Sequence, residues 1–118
     1  MKRYILSLAA VLALALPMAA PAGTTATKLT GTTGPGFTIT LKKAGRKVTK
    51  LPHGKYTITV TDKATIHDFK LSGPGVNKTI TTVPFMGTKT VTVTLKKGTY
   101  TYVCTPHRSF MKGSFKVT

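Results

Sequence analysis

From Thr27 onward, apolar and polar positions alternate with period two along almost every segment of the chain. Phe37-Thr38-Ile39-Thr40-Leu41 sets Phe37, Ile39 and Leu41 on one face and threonines on the other. Tyr56-Thr57-Ile58-Thr59-Val60-Thr61 and Val91-Thr92-Val93-Thr94-Leu95 repeat the pattern. Successive side chains of a strand point to opposite faces, so this alternation predicts half-buried antiparallel strands with one wet face. Threonine suits the solvent side, because its branched Cβ fits a pleated surface. Turn residues break the runs at short intervals, at Gly34-Pro35-Gly36, Ala44-Gly45, Pro52-His53-Gly54, Ser72-Gly73-Pro74-Gly75, Met86-Gly87 and Lys97-Gly98. Beyond the leader no stretch keeps a helical period over three turns. Roughly six to eight short strands in one chain predict an all-β fold, a Greek-key β-sandwich or barrel.

The first residues follow a different rule. Lys2 and Arg3 precede an apolar run from Tyr4 to Leu16 interrupted only by Ser7, then Pro17 and Ala20-Pro21-Ala22. A basic start, a short apolar stretch and small residues at a cleavage point form the pattern of a secretory signal peptide. Residues 1–22 are expected to be removed, leaving 23–118 as a single exported domain in the periplasm or outside the cell. The apolar run is short against the roughly 20 residues that cross a bilayer, so no membrane span is expected. Residues 23 to about 30, rich in Thr, Gly and Ala, read as a loose lead into the first strand.

Charge narrows the partners. Eighteen Lys and Arg face two acids, Asp62 and Asp68, for a net charge of +16. Without Lys2 and Arg3 the balance is +14, and the basic residues are spread along the chain rather than gathered in a tail. Such a field steers encounter with acidic proteins or an anionic cell surface and weakens with salt. Export and the lack of a basic motif interleaved with aromatics argue against nucleic acid. Like-charge repulsion favours a monomer.

The candidate chemistry centres on the one cysteine, Cys104, in Cys104-Thr105-Pro106-His107-Arg108-Ser109-Phe110-Met111. A single Cys in an exported chain makes no internal disulfide, and its nearness to His107 favours a metal. Strand parity adds a second histidine. His67 shares a face with the apolar Phe69 and Leu71, and Cys104 ends the row of Tyr100 and Tyr102, so both are expected to point inward. Singly, each has an ordinary reading: a hydrogen-bonded core histidine, a small buried cysteine, a methionine filling space. Together His67, Cys104, His107 and Met111 offer two imidazoles, a thiolate and a weak thioether, the ligand set of a mononuclear blue-copper centre. His53, in a turn, is expected to be exposed and not a ligand. Phe85 is expected in the core, while Met86 and Phe110 are candidates for apolar surface around the metal end.

On these residues the chain resembles the cupredoxins, the small blue-copper proteins that include plastocyanin, amicyanin and azurin. The resemblance covers residues 37–118 and is strongest over Gly98-Thr99-Tyr100-Thr101-Tyr102-Val103-Cys104-Thr105-Pro106-His107 and Met111 to Val117. It implies an eight-strand Greek-key sandwich holding one type 1 copper, with His67, Cys104 and His107 equatorial and Met111 axial. It also implies single-electron shuttling rather than an enzyme, with an acidic redox partner docking near His107 and Arg108. Two departures stand out. The residue after the upstream histidine is commonly Asn in these families, where it ties the ligand loops together. Here it is Asp68, expected to face solvent or pair with a lysine, because an anion beside a thiolate disfavours the tying role. Three residues separate His107 from Met111, fewer than in plastocyanin and one more than in amicyanin. Motif and resemblance together point to an exported single-electron carrier. The alternatives are a copper-binding and delivery protein, and then a metal-free sandwich that holds anionic polymer.

Overall fold

Period-two alternation becomes ten strands in the computed structural model, which describes residues 25–118. The expected signal peptide, residues 1–22, lies outside the described residues. In chain order the strands are β1 (Thr27–Thr33), β2 (Ile39–Lys43), β3 (Arg46–Lys47), β4 (Lys50–Leu51), β5 (Gly54–Asp62), β6 (Phe69–Gly73), β7 (Val76–Thr81), β8 (Gly87–Leu95), β9 (Gly98–Val103) and β10 (Lys112–Val117). They form two five-stranded sheets, in the orders β3-β2-β1-β5-β8 and β4-β10-β9-β6-β7. Eight strands are of ordinary length; β3 and β4 add two residues each at sheet edges. Most pairs are antiparallel, but β1 runs parallel to β5 from Thr27↔Tyr56 to Thr33↔Asp62. That long-range pairing joins β1 to the middle of its sheet, and the two sheets together make an all-β sandwich.

Parity holds along the central strands. In β5 the side chains of Tyr56, Ile58 and Val60 are buried, while Thr57, Thr59 and Thr61 stay partly exposed. On the wet side, Thr59 and Thr90 hydroxyls meet at 3.0 Å and Thr61 and Thr88 at 3.3 Å, cross-strand pairs that tie β5 to β8. Between the sheets, Phe69 stacks on Tyr102 with ring centroids 5.7 Å apart, and Tyr100 on Phe115 at 5.5 Å. Tyr102 lies across β10 only because position 113 is glycine: a Cβ there would sit 2.2 Å from the ring Cζ. The buried Tyr100 hydroxyl is satisfied at both ends, donating to Pro74 O at 2.6 Å and accepting from Lys96 N–H at 2.9 Å.

Two expectations fail here. Phe37 does not extend the inward row of Ile39 and Leu41; it is 58% exposed, and β2 begins only at Ile39. The Gly34 N–H donates to Thr38 O at 2.9 Å, which closes residues 34–38 into a loop and lifts Phe37 out of the ladder. Phe85 is half-buried rather than core, with the Lys89 ammonium 4.5 Å from its ring centroid. At one end of the sandwich the start of β6, the end of β9 and the start of β10 come together. His67, Cys104 and Met111 lie at those three points.

Candidate metal centre

The ligand loop is built by its own backbone. Cys104 leaves β9, residues Thr105–His107 make a single 3₁₀ turn with Pro106 inside it, and Met111 precedes β10. Cys104 N–H donates to Met111 O at 3.0 Å and Met111 N–H to His107 O at 2.8 Å. His107 N–H returns to Cys104 O at 3.0 Å, so the loop is cross-braced on itself. Pro106 fixes its own φ and needs no donor there.

Three donor atoms from two loops converge. His67 Nδ1 and His107 Nδ1 are 3.2 Å apart, and Cys104 Sγ lies 3.6 Å from the first and 3.5 Å from the second. A metal in the plane of two nitrogens at ~2.0 Å and a thiolate at ~2.3 Å would give edges of about 3.5 to 3.7 Å, close to this triangle. His67 and Cys104 are fully buried and His107 is half-buried, so one imidazole edge reaches toward solvent. Met111 is buried as well, and its backbone is bonded to both Cys104 and His107. Burial pushes the Cys104 thiol up. The N–H groups of Asp68 and His107 oppose that, and the Asp68 carboxylate adds to it. Metal binding therefore has to displace a proton from sulfur.

Asp68 corrects the sequence expectation. It is 5% exposed, and its carboxylate accepts from both the backbone N–H and the hydroxyl of Thr105. An anion performs the tying role after all, because Thr105 supplies two donors where a lone charge would have been stranded. His53 stands as expected, exposed, with its ring N–H on Thr118 O at 2.9 Å.

Two positions emerge only from the structure. The Phe37 ring sits edge-on to His67, His107 and Phe110, with centroids at 5.5, 5.0 and 5.7 Å. Gly34 makes room for the buried imidazole: its φ is +74°, and a Cβ there would lie 2.9 Å from His67 Cδ2. The Gly34-Pro35-Gly36 signal marked a turn ahead of Phe37 but not what the turn would meet. Phe37, Ile66, Met86 and Phe110 are the exposed large hydrophobics among the described residues. Ile66 adjoins His67, and Met86 precedes Gly87, which pairs with Asp62 at the same end of β5. Of the two candidates for apolar surface, Met86 is 63% and Phe110 58% exposed, and the Phe110 ring lies beside His107.

Fold and donor set together define a small copper-binding β-sandwich with two imidazoles and a thiolate at one end. Residues 21–118 match the family of copper binding proteins of the plastocyanin/azurin type, and the chain belongs to that family. The centre accordingly takes one type 1 copper, which the soft sulfur and two imidazoles suit. Among solved structures, reduced rusticyanin at 1.9 Å matches with a TM-score of 0.55 and 22% identity, over 77% of this chain and 78% of that one. Reduced rusticyanin by NMR gives 0.51 and 20%, over 77% and 76%. A reduced Cu(I) form of an amicyanin variant at pH 4 gives 0.47 and 19%, over 83% and 87%. No curated protein sequence matches the chain.

Proposed function

We propose that this protein is an exported carrier of single electrons, with His67, Cys104 and His107 as equatorial copper ligands and Met111 as the axial one. The observation that carries the reading is the triangle of two Nδ1 atoms and Sγ with edges of 3.2 to 3.6 Å, built on strand ends and a braced loop. Bound copper supplies a cupric/cuprous couple that takes up and gives back one electron. The chain's own residues make that exchange easy. The donors flank β6 and β9, on short connections of which the Cys104–Met111 loop is closed by backbone bonds, so they hold one arrangement for both oxidation states. Burial of His67, Cys104 and Met111 keeps water from the sulfur side. His107, half-exposed under Phe37 and Phe110, is the edge through which the electron leaves.

The partner is an acidic redox protein that docks over His107. Both carboxylates of the chain, Asp62 and Asp68, are buried, so no side-chain acid offsets the exposed Lys and Arg. Arg108 is exposed beside His107, and the exposed Phe37 and Phe110 supply a surface that desolvates on contact. Residues 1–22 are read as the signal peptide that delivers residues 23–118 to the periplasm or beyond. A visible spectrum of the mature domain with one equivalent of cupric ion, then ascorbate, tests the reading. An intense thiolate-to-copper band that bleaches, returns on reoxidation and is lost in Cys104→Ser is expected. No band in the folded protein, or rapid loss of Cu(I) to an acceptor, would move the function to copper delivery.

A further inference from the structure

Among the described residues, the buried side-chain polar atoms without a hydrogen-bond partner are Thr33 Oγ1, Asp62 Oδ2, His67 Nε2 and Thr81 Oγ1. All four belong to side chains no more than 1% exposed. Thr33 and Asp62 are Cα partners at the end of the parallel β1–β5 pair. Thr81 approaches the Asp62 carboxylate from the other sheet without a hydrogen bond to it, and His67 lies within electrostatic range of that carboxylate. Gly34, the neighbour of Thr33, packs on His67 at Cδ2, the carbon bonded to Nε2, and also approaches Ala64. Ala64 N–H donates to the other carboxylate oxygen, Asp62 Oδ1, at 3.3 Å. The Cδ2–Nε2 edge of His67 thus faces the ends of β1 and β5.

The chemistry of the four atoms is complementary. His67 Nδ1 is the nitrogen that faces Cys104 and His107. The role assigned below to Nε2 rests on the copper reading, in which Nδ1 takes the metal and Nε2 carries the ring proton. Nε2 is then a buried donor without a partner, and the nearby Asp62, Thr33 and Thr81 leave a carboxylate oxygen and two hydroxyls unpaired as well; buried polar groups left this way are costly. A metal-bound imidazole ordinarily gives its second N–H to a carboxylate, a carbonyl or a water.

We propose that Asp62 is the outer partner of His67, joined to it by one buried water that Thr33 and Thr81 hold in place. The water accepts from Nε2–H and from one threonine hydroxyl, and donates to Asp62 Oδ2 and to the other hydroxyl oxygen, which fills its bonding capacity. Asp62 is a positioning residue: it sets which ring nitrogen of His67 is protonated and the plane in which the ring meets copper. This also accounts for an acid kept where burial pushes its carboxyl up. Of the chain's two acids, Asp68 then braces the cysteine loop and Asp62 the upstream histidine.

The test uses protein labelled with ¹⁵N-histidine and loaded with Cu(I), which is diamagnetic. The His67 Nε2–H resonance should be protected from exchange and show a cross-peak to an internal water. Asp62→Asn should keep the blue band of the cupric form, weaken copper binding by roughly 10- to 100-fold, and speed Nε2–H exchange about tenfold or more. The double variant Thr33→Val with Thr81→Val keeps shape and carboxylate, should shift exchange in the same direction, and decides the matter alone if Asp62→Asn does not fold. An Nε2–H bonded to a backbone carbonyl with no water contact overturns the proposal. So does unchanged exchange in the variants that fold. Failure of the copper reading looks different: the unaltered protein would show no band and no response of His67 to metal, and the proposal would fall with it.

Discussion

Replacing Asp68 with Asn separates the charge at this site from the tie it makes. The Asp68 carboxylate accepts from the Thr105 N–H and the Thr105 hydroxyl. An asparagine can keep both contacts, accepting the N–H at its oxygen and donating its amide to the hydroxyl. What the variant removes is one buried negative charge, adjacent in the chain to ligand His67 and bonded to the residue after ligand Cys104. The cupric ion carries one positive charge more than the cuprous ion, so the native anion favours the oxidised state and lowers the midpoint potential. At an effective dielectric near 20 and roughly 6 to 10 Å, a unit charge is worth about 1.7 to 2.8 kcal/mol. At ~59 mV per tenfold for one electron, that converts to a rise of about 70 to 120 mV in Asp68→Asn. The assay is a spectroelectrochemical titration of the blue band at pH 7, with Thr105→Val as the companion. That variant loses a donor but keeps the charge, so its potential should not rise. An unchanged or lower potential in Asp68→Asn would refute the reasoning, and an equal rise in both variants would assign the effect to loosening of the loop.

Three further outcomes are expected. Met111→Leu conserves volume in a fully buried position, so it should cost less than about 1.5 kcal/mol in a denaturant titration; with Met111 as the proposed axial ligand, loss of its sulfur should also raise the midpoint potential, and an unchanged potential would remove Met111 from the ligand set. Oxidation of the cuprous protein by a small anionic reagent should slow by about tenfold or more between ~10 mM and ~300 mM salt, because the exposed charge is of one sign; a rate independent of salt would argue against steering by that surface. Burial raises the pKa of Tyr56, Tyr102 and Cys104. Groups of this kind stabilise the fold fully below their unfolded-state pKa and lose that contribution as pH rises through the folded value. The Tm of the copper-free protein should therefore fall as pH climbs past about 9 to 10, the ordinary thiol and phenol range, and a flat profile would contradict it.

Much of this molecule was legible in its amino-acid pattern because strand parity is a local property. Alternation in Tyr56–Thr61 and in Phe69–Leu71 named the buried rows, and the same parity turned His67 and Cys104 inward. The spacing from Cys104 through His107 to Met111 by itself placed three candidate ligands on one short loop. Only the tertiary structure decided what those rows and loops meet. Parity put Asp68 opposite His67 and so toward water, but the Thr105 turn folds over it and supplies two donors. Phe37 fitted a strand pattern, yet the Gly34–Thr38 hydrogen bond lifts it onto the two histidines. The parallel β1–β5 register brings Thr33 to Asp62 across an intervening stretch of chain, and nothing local in either segment encodes that meeting. A strand's sequence states which side chains leave which face; the partner across that face is set by long-range pairing, where the burial of polar groups is settled.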